Sequence, residues 1–271
     1  MASMLSRLET YYDAVPRSAA RAEEFGALTL FVREGRGWPY YARPALGHIG
    51  EVPLADVERV RARQRELGVP EAFEWVAETT PGLRAAVEQS GLVVHEHPLM
   101  ILEGEGVAVS APDGVTVRMV EAGDPALASA AAVPYAAFGV TPDASVAEQL
   151  AARIGAGLTR LAAAVDADGT ALSAGQHQPV GTALGGVSGA VSGAASEVVP
   201  GAVSEVVGVG TLPAARRRGL GLAVTAALVA DARARGVGTV FLSATDESVA
   251  RLYGRLGFRT AGTALIAEPA S

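Results

Sequence analysis

The feature that most constrains the fold is a run of apolar, glycine and arginine residues between positions 204 and 236. It begins with SEVVGVGT, which is typical of a strand, passes through LPAARRRGLG and continues with apolar residues at helical spacing until Gly236. The helix is predicted to begin near Arg217, so Gly219 and Gly221 stand at its start rather than in its middle. A strand that leads through a glycine-rich turn into a helix indicates an α/β domain.

This strand–turn–helix run also predicts a local site for a polyanion. The first N–H groups of a helix have no intrahelical acceptor, and the helix dipole places partial positive charge beside them. Glycine lets the backbone approach a phosphate with no side chain between them. The spacing predicts that Leu222 and Val229 face the sheet, and that Thr225 and Asp231 face outward. The run lacks the third glycine of a dinucleotide fingerprint and the lysine of a P-loop.

Composition excludes several kinds of chemistry. The 22 basic residues are all arginine, and the chain has no cysteine. A Schiff-base lysine, a thiol nucleophile, disulfides and cysteine-based metal sites are therefore excluded, and we expect no metal. The formal net charge of −7 gives no chain-wide basic field, so we expect no nucleic-acid partner.

No membrane or secretion segment is predicted. The longest apolar runs are far shorter than the roughly 20 residues that a membrane-spanning helix needs. The first 25 residues carry acidic side chains from Glu9 onward and lack the continuous apolar core of a secretion signal. We therefore expect a cytoplasmic location and no membrane partner.

The chain is long enough for two domains. Its 271 residues are 49% hydrophobic, and the glycine- and proline-containing stretch EGEGVAVSAPDG at 103–114 interrupts the periodic pattern. We place domains at 1–108 and 109–271. In the second domain the patterns predict strands at 114–120, 158–166, 170–178, 204–211, 239–244 and 263–268, and helices at 124–138, 145–154, 217–235 and 247–256.

Residues 179–202 form a segment rich in glycine, alanine, serine and valine. Two interpretations stay open for it. It is either a lengthened loop of low complexity or a lid over a substrate site.

The run from Val207 to Phe258 resembles the GNAT (GCN5-related N-acetyltransferase) superfamily. The family's Q/R-x-x-G-x-G/A motif is matched by Arg216, Gly219 and Gly221. Its A-x-x-L/Y-Y-x-x-x-G-F signature is matched by Ala250, Tyr253, Gly257 and Phe258. The resemblance implies an α/β fold with a mixed, largely antiparallel central sheet flanked by helices.

Residues 1–108 hold a weaker echo of the same pattern. The stretch FEWVAETTPGLRAAVEQSGL at 73–92 follows the order of VFLSATDESVARLYGRLGF at 240–258, but it lacks the arginine–glycine turn. We interpret this segment as a smaller, degenerate GNAT-like domain in tandem with the catalytic one. The alternative is an unrelated α/β domain that supplies acceptor contacts. In either case Trp38, Tyr40 and Tyr41 line a substrate cleft or belong to a core.

The resemblance implies acetyl-CoA as cosubstrate, with no metal. In the family, amides of the turn hold the pyrophosphate, and the preceding strand pairs with the pantetheine arm. Carried over to this chain, the cofactor-binding residues are Val209, Gly210, Thr211, Arg216, Arg217, Arg218, Gly219, Leu220, Gly221 and Leu222. The side chains of Arg217 and Arg218 either add charge near the phosphates or are solvated surface charges.

The resemblance also implies direct attack of an amine on the thioester. Tyr253 matches the position from which family members protonate the sulfur, although a half-buried helix tyrosine also fits the pattern. We favour Glu205 as the base, because burial raises the pKa of a carboxylate among valines. An exposed strand acid is the alternative, Glu197 is a rival, and His177 is either a second candidate base or structural. Glu247 stands where many relatives have asparagine, and we do not assign it to the cofactor.

The sequence thus predicts an N-acetyltransferase that uses acetyl-CoA to acetylate a primary amine. The acceptor is a small molecule or a peptide. The alternative is a non-catalytic acyl-CoA-binding or sensor protein. A homodimer is left open.

Overall fold

The chain alternates between helices and strands because apolar runs of helical or alternating spacing are separated by glycine, proline and polar residues. A computed structural model describes residues 2–35, 37–183, 186–187 and 201–270. The elements up to residue 102 are α1 (Ala2–Arg17), β1 (Ala20–Phe25), β2 (Leu28–Arg33), β3 (Ala42–Pro44), α2 (Leu54–Leu67), β4 (Phe73–Val76), α3 (Leu83–Gln89) and β5 (Leu92–Leu102).

The elements after residue 102 begin with a strand and end with a long strand. They are β6 (Val115–Val120), α4 (Leu127–Ala137), α5 (Val146–Gly155), β7 (Arg160–Asp166), β8 (Ala171–Val180), β9 (Thr182–Ala183), β10 (Gly186–Val187), β11 (Val203–Thr211), α6 (Leu220–Ala234), β12 (Thr239–Ser243), α7 (Glu247–Gly254) and β13 (Phe258–Pro269). A single 3-10 turn at Pro213–Ala215 lies between β11 and α6. No helix within the described ranges is both long enough and apolar enough to cross a membrane.

These elements form two compact units that interleave along the sequence. The first comprises residues 1–100, 243–250 and 260–271, and the second comprises residues 101–242 and 251–259. The predicted division into 1–108 and 109–271 has a single boundary instead. The two differ because β13 pairs antiparallel with β4, with Leu265 opposite Trp75, so the last strand groups with the first hundred residues. The proposed ancestry of residues 1–108 stays a prediction.

The first unit has the strand order β1-β2-β3-β4-β13-β5. Side chains from one face of its sheet form an apolar core with α2 and α3. This core includes Leu28 on β2, Phe73 and Trp75 on β4, Val57 on α2 and Leu83 on α3, all nearly inaccessible to solvent. Alternation along β4 therefore turns Glu74 toward the other face of the sheet. On that face Arg43 of β3 forms an ion pair with Glu9 of α1.

The second unit has the strand order β12-β11-β8-β7-β6. Helices cover both faces of this sheet. A Cβ added at Gly210 of β11 would meet Ala137 of α4, whereas one added at Gly175 of β8 would meet Leu228 of α6. Because Gly210 pairs with Ala174, the neighbour of Gly175, α4 and α6 lie on opposite faces. The predicted fold class, a mixed and largely antiparallel sheet flanked by helices, is confirmed.

Two predicted helix starts are wrong, one by three residues and one by two. The helix expected from Arg217 begins at Leu220, because Arg217 and Gly219 both adopt positive φ angles, of 66° and 78°, which a helix does not accept. The helix expected to have Asp124 as its N-cap and Pro125 as its first residue begins at Leu127. The Asp124 carboxylate instead accepts a hydrogen bond of 2.8 Å from the N–H of Ala126. In the segment 179–202, residues 184–185 and 188–200, with Glu197, lie outside the described residues, so both interpretations of it stay predictions.

Candidate functional site

Strand β11 has a partner on one side along most of its length and on the other side only at its beginning. It pairs antiparallel with β8, with an irregularity between Val207 and Gly210 where Gly208 has a φ of 61°. Its parallel pairing with β12 extends from Val203 to Glu205, six residues before the strand ends at Thr211. The last part of β11 therefore directs main-chain N–H and C=O groups away from β8 toward the gap beside β12. An extended ligand can pair with such an edge.

The start of α6 lies beside this edge. The first intrahelical hydrogen bond runs from the N–H of Ala223 to the C=O of Gly219, at 3.1 Å. Within the helix, the N–H groups of Leu220, Gly221 and Leu222 consequently have no acceptor. Gly219 caps the helix in the left-handed conformation, and no side chain caps it. These amides and the helix dipole form a donor set suited to a phosphate.

Glycine keeps the space around these amides open. A Cβ at Gly219 would have no atom within 4 Å among the surroundings of the turn. A Cβ at Gly221 would lie 3.5 Å from the Thr211 Oγ1 and 3.8 Å from the Val209 Cγ1. The first turn of α6 therefore faces the last residues of β11 directly. The predicted pyrophosphate and pantetheine residues are brought together.

The three arginines of the turn have different surroundings. The Arg216 guanidinium donates to the C=O of Ala137 at 3.0 Å and, at the longer distance of 3.4 Å, to the C=O of Thr211. Its side chain thus ties the end of α4 to the end of β11. Arg217 and Arg218 are exposed. The cofactor roles predicted for the three side chains stay predictions.

Tyr253 packs against the first turns of α6. Its phenol is half-buried on α7, forms a hydrogen bond with the Thr225 hydroxyl and lies with its ring centroid 6.1 Å from that of Phe258. Thr225 in turn donates to the C=O of Gly221 at 2.9 Å. Burial raises the pKa of Tyr253, so the phenol stays protonated at neutral pH. The expectation that Thr225 faces outward is wrong, because the Thr225 side chain is fully buried.

Glu205 lies on the other face of the sheet. It is half-buried on β11, opposite Gln178 of β8 and Phe241 of β12. Its neighbour Ser204 points toward α6, since the Ser204 hydroxyl bonds to a histidine that contacts that helix. Side chains alternate along a strand, so Glu205 points away from α6. The two predicted catalytic residues thus flank the sheet from opposite faces, and their roles stay predictions.

His177 is structural rather than an accessible base. Its side chain is fully buried, with Nδ1 2.9 Å from the Ser204 hydroxyl and Nε2 2.9 Å from the Asp231 carboxylate. Burial lowers the pKa of His177, although Asp231 opposes this effect. The serine, histidine and aspartate are ordered as in a hydrolase triad, but the buried serine cannot reach a substrate. The expectation that Asp231 faces outward is wrong, because its carboxylate points inward to the Nε2 of His177.

The other residues singled out from the sequence lie elsewhere. Glu247 is exposed in the first turn of α7. In the first unit, 48% of the Trp38 surface is exposed, and the Tyr40 and Tyr41 rings meet edge to face. Across the described ranges, no group of three or more histidine, aspartate or glutamate side chains is placed to hold a metal ion.

Comparisons with known proteins place this geometry in context. The family model of FR47-like proteins, which are related to GNAT proteins, matches residues 183–266. A search of curated proteins finds no match. Among solved structures, a GCN5-related N-acetyltransferase from Kribbella flavida is 22% identical with a TM-score of 0.72, and the alignment covers 98% of this chain and 96% of that one.

Two further structures also align over most of their length. A GCN5-related N-acetyltransferase from Sphaerobacter thermophilus is 19% identical with a TM-score of 0.58, covering 92% of this chain and 84% of that one. A tandem GNAT protein from the clavulanic acid biosynthesis pathway is 15% identical with a TM-score of 0.52, covering 100% and 97%. The predicted resemblance is therefore confirmed: the chain has the fold of GNAT proteins, including a tandem one, and carries an FR47-like segment in its second half.

Proposed function

We propose that the chain is an N-acetyltransferase that transfers the acetyl group of acetyl-CoA to a primary amine of a small molecule or peptide. One observation carries the proposal: the open edge of β11 ends beside three helix N–H groups that have no acceptor within α6. An edge that pairs with an extended amide chain, next to donors for a diphosphate, matches the two chemically distinct parts of CoA.

The residues fit this cosubstrate in shape and charge. The main chain of Val209 and Thr211 would bind the pantetheine amides, and the N–H groups of Gly219 to Leu222 would bind the pyrophosphate. The open space at Gly219 leaves room for phosphate oxygens against the backbone. Exposed Arg217 and Arg218 would add positive charge close by. Solved proteins with this fold include chains described as N-acetyltransferases, which supports the same conclusion.

Acetyl-CoA supplies an activated acyl group as its thioester. The amine that attacks it must lose a proton, and the departing sulfur must gain one. Glu205, directly or through water, would accept the proton of the amine. Tyr253 would donate its phenolic proton to the sulfur, and its raised pKa keeps that proton in place until it is needed. Because Glu205 and Tyr253 lie on opposite faces of the sheet, the proposal requires the thioester to bind at the open edge of β11, which can be approached from both faces.

The proposal is tested by measuring thiol release from acetyl-CoA with a panel of amines, followed by Tyr253→Phe and Glu205→Gln. We expect each variant to lower kcat by about 10²-fold or more, the usual worth of one acid or base, with CoA affinity nearly unchanged. Glu148→Gln, at an exposed position of α5 to which no site role is assigned, is the control. Unchanged turnover in both site variants would contradict the assigned roles.

The test also separates the enzyme from the alternative, a non-catalytic acyl-CoA-binding or sensor protein. That alternative predicts CoA binding without thiol release for any amine of the panel. We further expect a cytoplasmic protein with no nucleic-acid or membrane partner, and we leave a homodimer open.

A further inference from the structure

A buried polar ring connects the strand that carries Glu205 with the helix that begins at the proposed pyrophosphate site. This ring is the set of side chains of His177, Ser204, Asp231, Arg160 and Arg235. His177 stands on β8, directly between Arg160 of β7 and Val206 of β11 in the strand register. Its imidazole Nδ1 lies 2.9 Å from the Ser204 hydroxyl on β11, and its imidazole Nε2 lies 2.9 Å from the Asp231 carboxylate on α6. One side chain therefore bridges the sheet strand and the helix.

The ring is closed by two arginines. The Asp231 carboxylate accepts a hydrogen bond of 2.7 Å from Arg235, the C-cap residue of the same helix, and lies 3.4 Å from the Arg160 guanidinium. Burial alone would raise the pKa of Asp231, but the hydrogen bonds from His177 and Arg235 outweigh burial and hold that pKa below its usual range. Asp231 is therefore a carboxylate, and neutral His177 donates Nε2–H to it while Nδ1 accepts from the Ser204 hydroxyl.

The Ser204–His177 bond adds a side-chain constraint to the paired beginning of β11, just before the strand becomes irregular. Around Ser204 the strand pairs with β8 from Val203 to Val207 and with β12 from Val203 to Glu205. Beyond these residues the pairing with β12 ends and the ladder with β8 shifts. A slip of one residue would turn Glu205 to the opposite face. In the observed register Ser204 lies diagonally opposite His177, with its hydroxyl 2.9 Å from Nδ1, and a one-residue slip would turn Ser204 away from that nitrogen. Ser204 is the residue next to Glu205.

The same ring fixes the position of α6. The helix is a rigid rod in which Asp231 lies nine residues beyond Leu222, about 14 Å at 1.5 Å per residue. Holding Asp231 against His177 sets how far the helix extends along the sheet and how it is rotated. These two quantities place the amides of Leu220 to Leu222 relative to β11.

We propose that His177 is a positioning residue for the transfer reaction, and that it sets the spacing between Glu205 and the amides at the start of α6 through Ser204 and Asp231. This inference rests on the proposed function. His177 and Ser204 are fully buried, so neither touches a substrate. The bond to Ser204 sets the position of the strand that carries the proposed base. The bond to Asp231 sets the position of the helix that carries the proposed phosphate site.

The two bonds can be broken separately. Ser204→Ala removes the hydroxyl on the strand side, and Asp231→Asn removes the charge on the helix side. We expect Ser204→Ala to lower kcat about tenfold with the CoA dissociation constant changed less than about twofold, since small displacements of a reacting group reduce the rate strongly. We expect Asp231→Asn to raise the CoA dissociation constant about tenfold. His177→Gln, which keeps a donor toward Asp231, is expected to reproduce the Ser204→Ala pattern.

A control separates positioning from simple loss of stability. Thr29→Val in the first unit also removes a buried hydroxyl, one that donates to Glu24 at 2.8 Å, far from this ring in sequence. We expect this variant to lower the melting temperature without changing kcat or the CoA dissociation constant. Kinetic constants of Ser204→Ala and Asp231→Asn that match those of Thr29→Val would overturn the proposal. Absence of thiol release by the wild-type chain would instead count against the proposed function, and the CoA dissociation constants would still test the helix side of the ring.

Discussion

Gly221→Ala should stabilise the fold and weaken CoA binding at the same time. Gly221 lies in the first turn of α6, where glycine is less favourable than alanine by about 0.5–1 kcal/mol. The added methyl would lie 3.5 Å from the Thr211 Oγ1 and 3.8 Å from the Val209 Cγ1, which are ordinary contact distances. No steric cost offsets the gain, so we expect a rise in melting temperature of about 1–4 °C.

The same methyl would stand between the helix amides and the edge of β11, where the cosubstrate is proposed to bind. A hydrogen bond to a charged group is worth about 1.5–3 kcal/mol, so losing one would weaken CoA binding roughly 10- to 100-fold. Stability and affinity then move in opposite directions. General damage to the fold cannot produce that combination, because damage lowers both.

Thermal melting and isothermal titration with CoA measure the two effects. Gly155→Ala is the matched control, because Gly155 is also a helical glycine, at the end of α5, with no atom within 4 Å of its added Cβ. We expect this control to be at least as stable as the wild type and to bind CoA equally well. If Gly221→Ala binds CoA as tightly as the control does, the first turn of α6 does not contact CoA, and the reasoning fails.

Three other substitutions test the packing and the electrostatics of the two units. Gly210→Ala places a Cβ 2.9 Å from that of Ala137, so we expect urea unfolding to show that the free energy of unfolding falls by about 1–3 kcal/mol. An unchanged unfolding midpoint would contradict the close approach of α4 to β11. Burial raises the pKa of Glu74 to about 7, so the wild type should lose stability as pH rises from about 4.5 to about 7, and Glu74→Gln should remove that slope from pH-dependent melting curves. Arg43→Met leaves the Glu9 carboxylate without its ion-pair partner in a nearly buried setting, so chemical denaturation should show that the free energy of unfolding falls by about 3 kcal/mol. An unchanged free energy of unfolding would mean that the ion pair does not stabilise the fold.

The local parts of the site follow from short-range sequence signals. Gly219 and Gly221 mark the start of α6 because glycine alone combines a left-handed cap with open access to the amides. The helical spacing of ESVARLYGRL likewise places Tyr253 on α7. Such signals depend on neighbours within a few residues, which the sequence displays directly.

The buried ring was not predictable in the same way. His177, Ser204 and Asp231 are far apart in the chain, and each one alone resembles an ordinary strand or helix residue. The apolar spacing of α6 misassigned Asp231 and Thr225 to the outer face, because a polar residue is expected outside unless its partners are known. The interleaving of the two units escaped prediction for a related reason. The final strand pairs with β4, nearly 200 residues earlier, and no local pattern encodes that pairing.

The central claim is that β11 and the start of α6 bind acetyl-CoA. The most direct measurement is a crystal structure of the chain with CoA bound. We predict pyrophosphate oxygens within hydrogen-bond distance of the N–H groups of Gly221 and Leu222, and pantetheine amides paired with the main chain of Val209 and Thr211. CoA bound away from residues 209–222 would contradict the account.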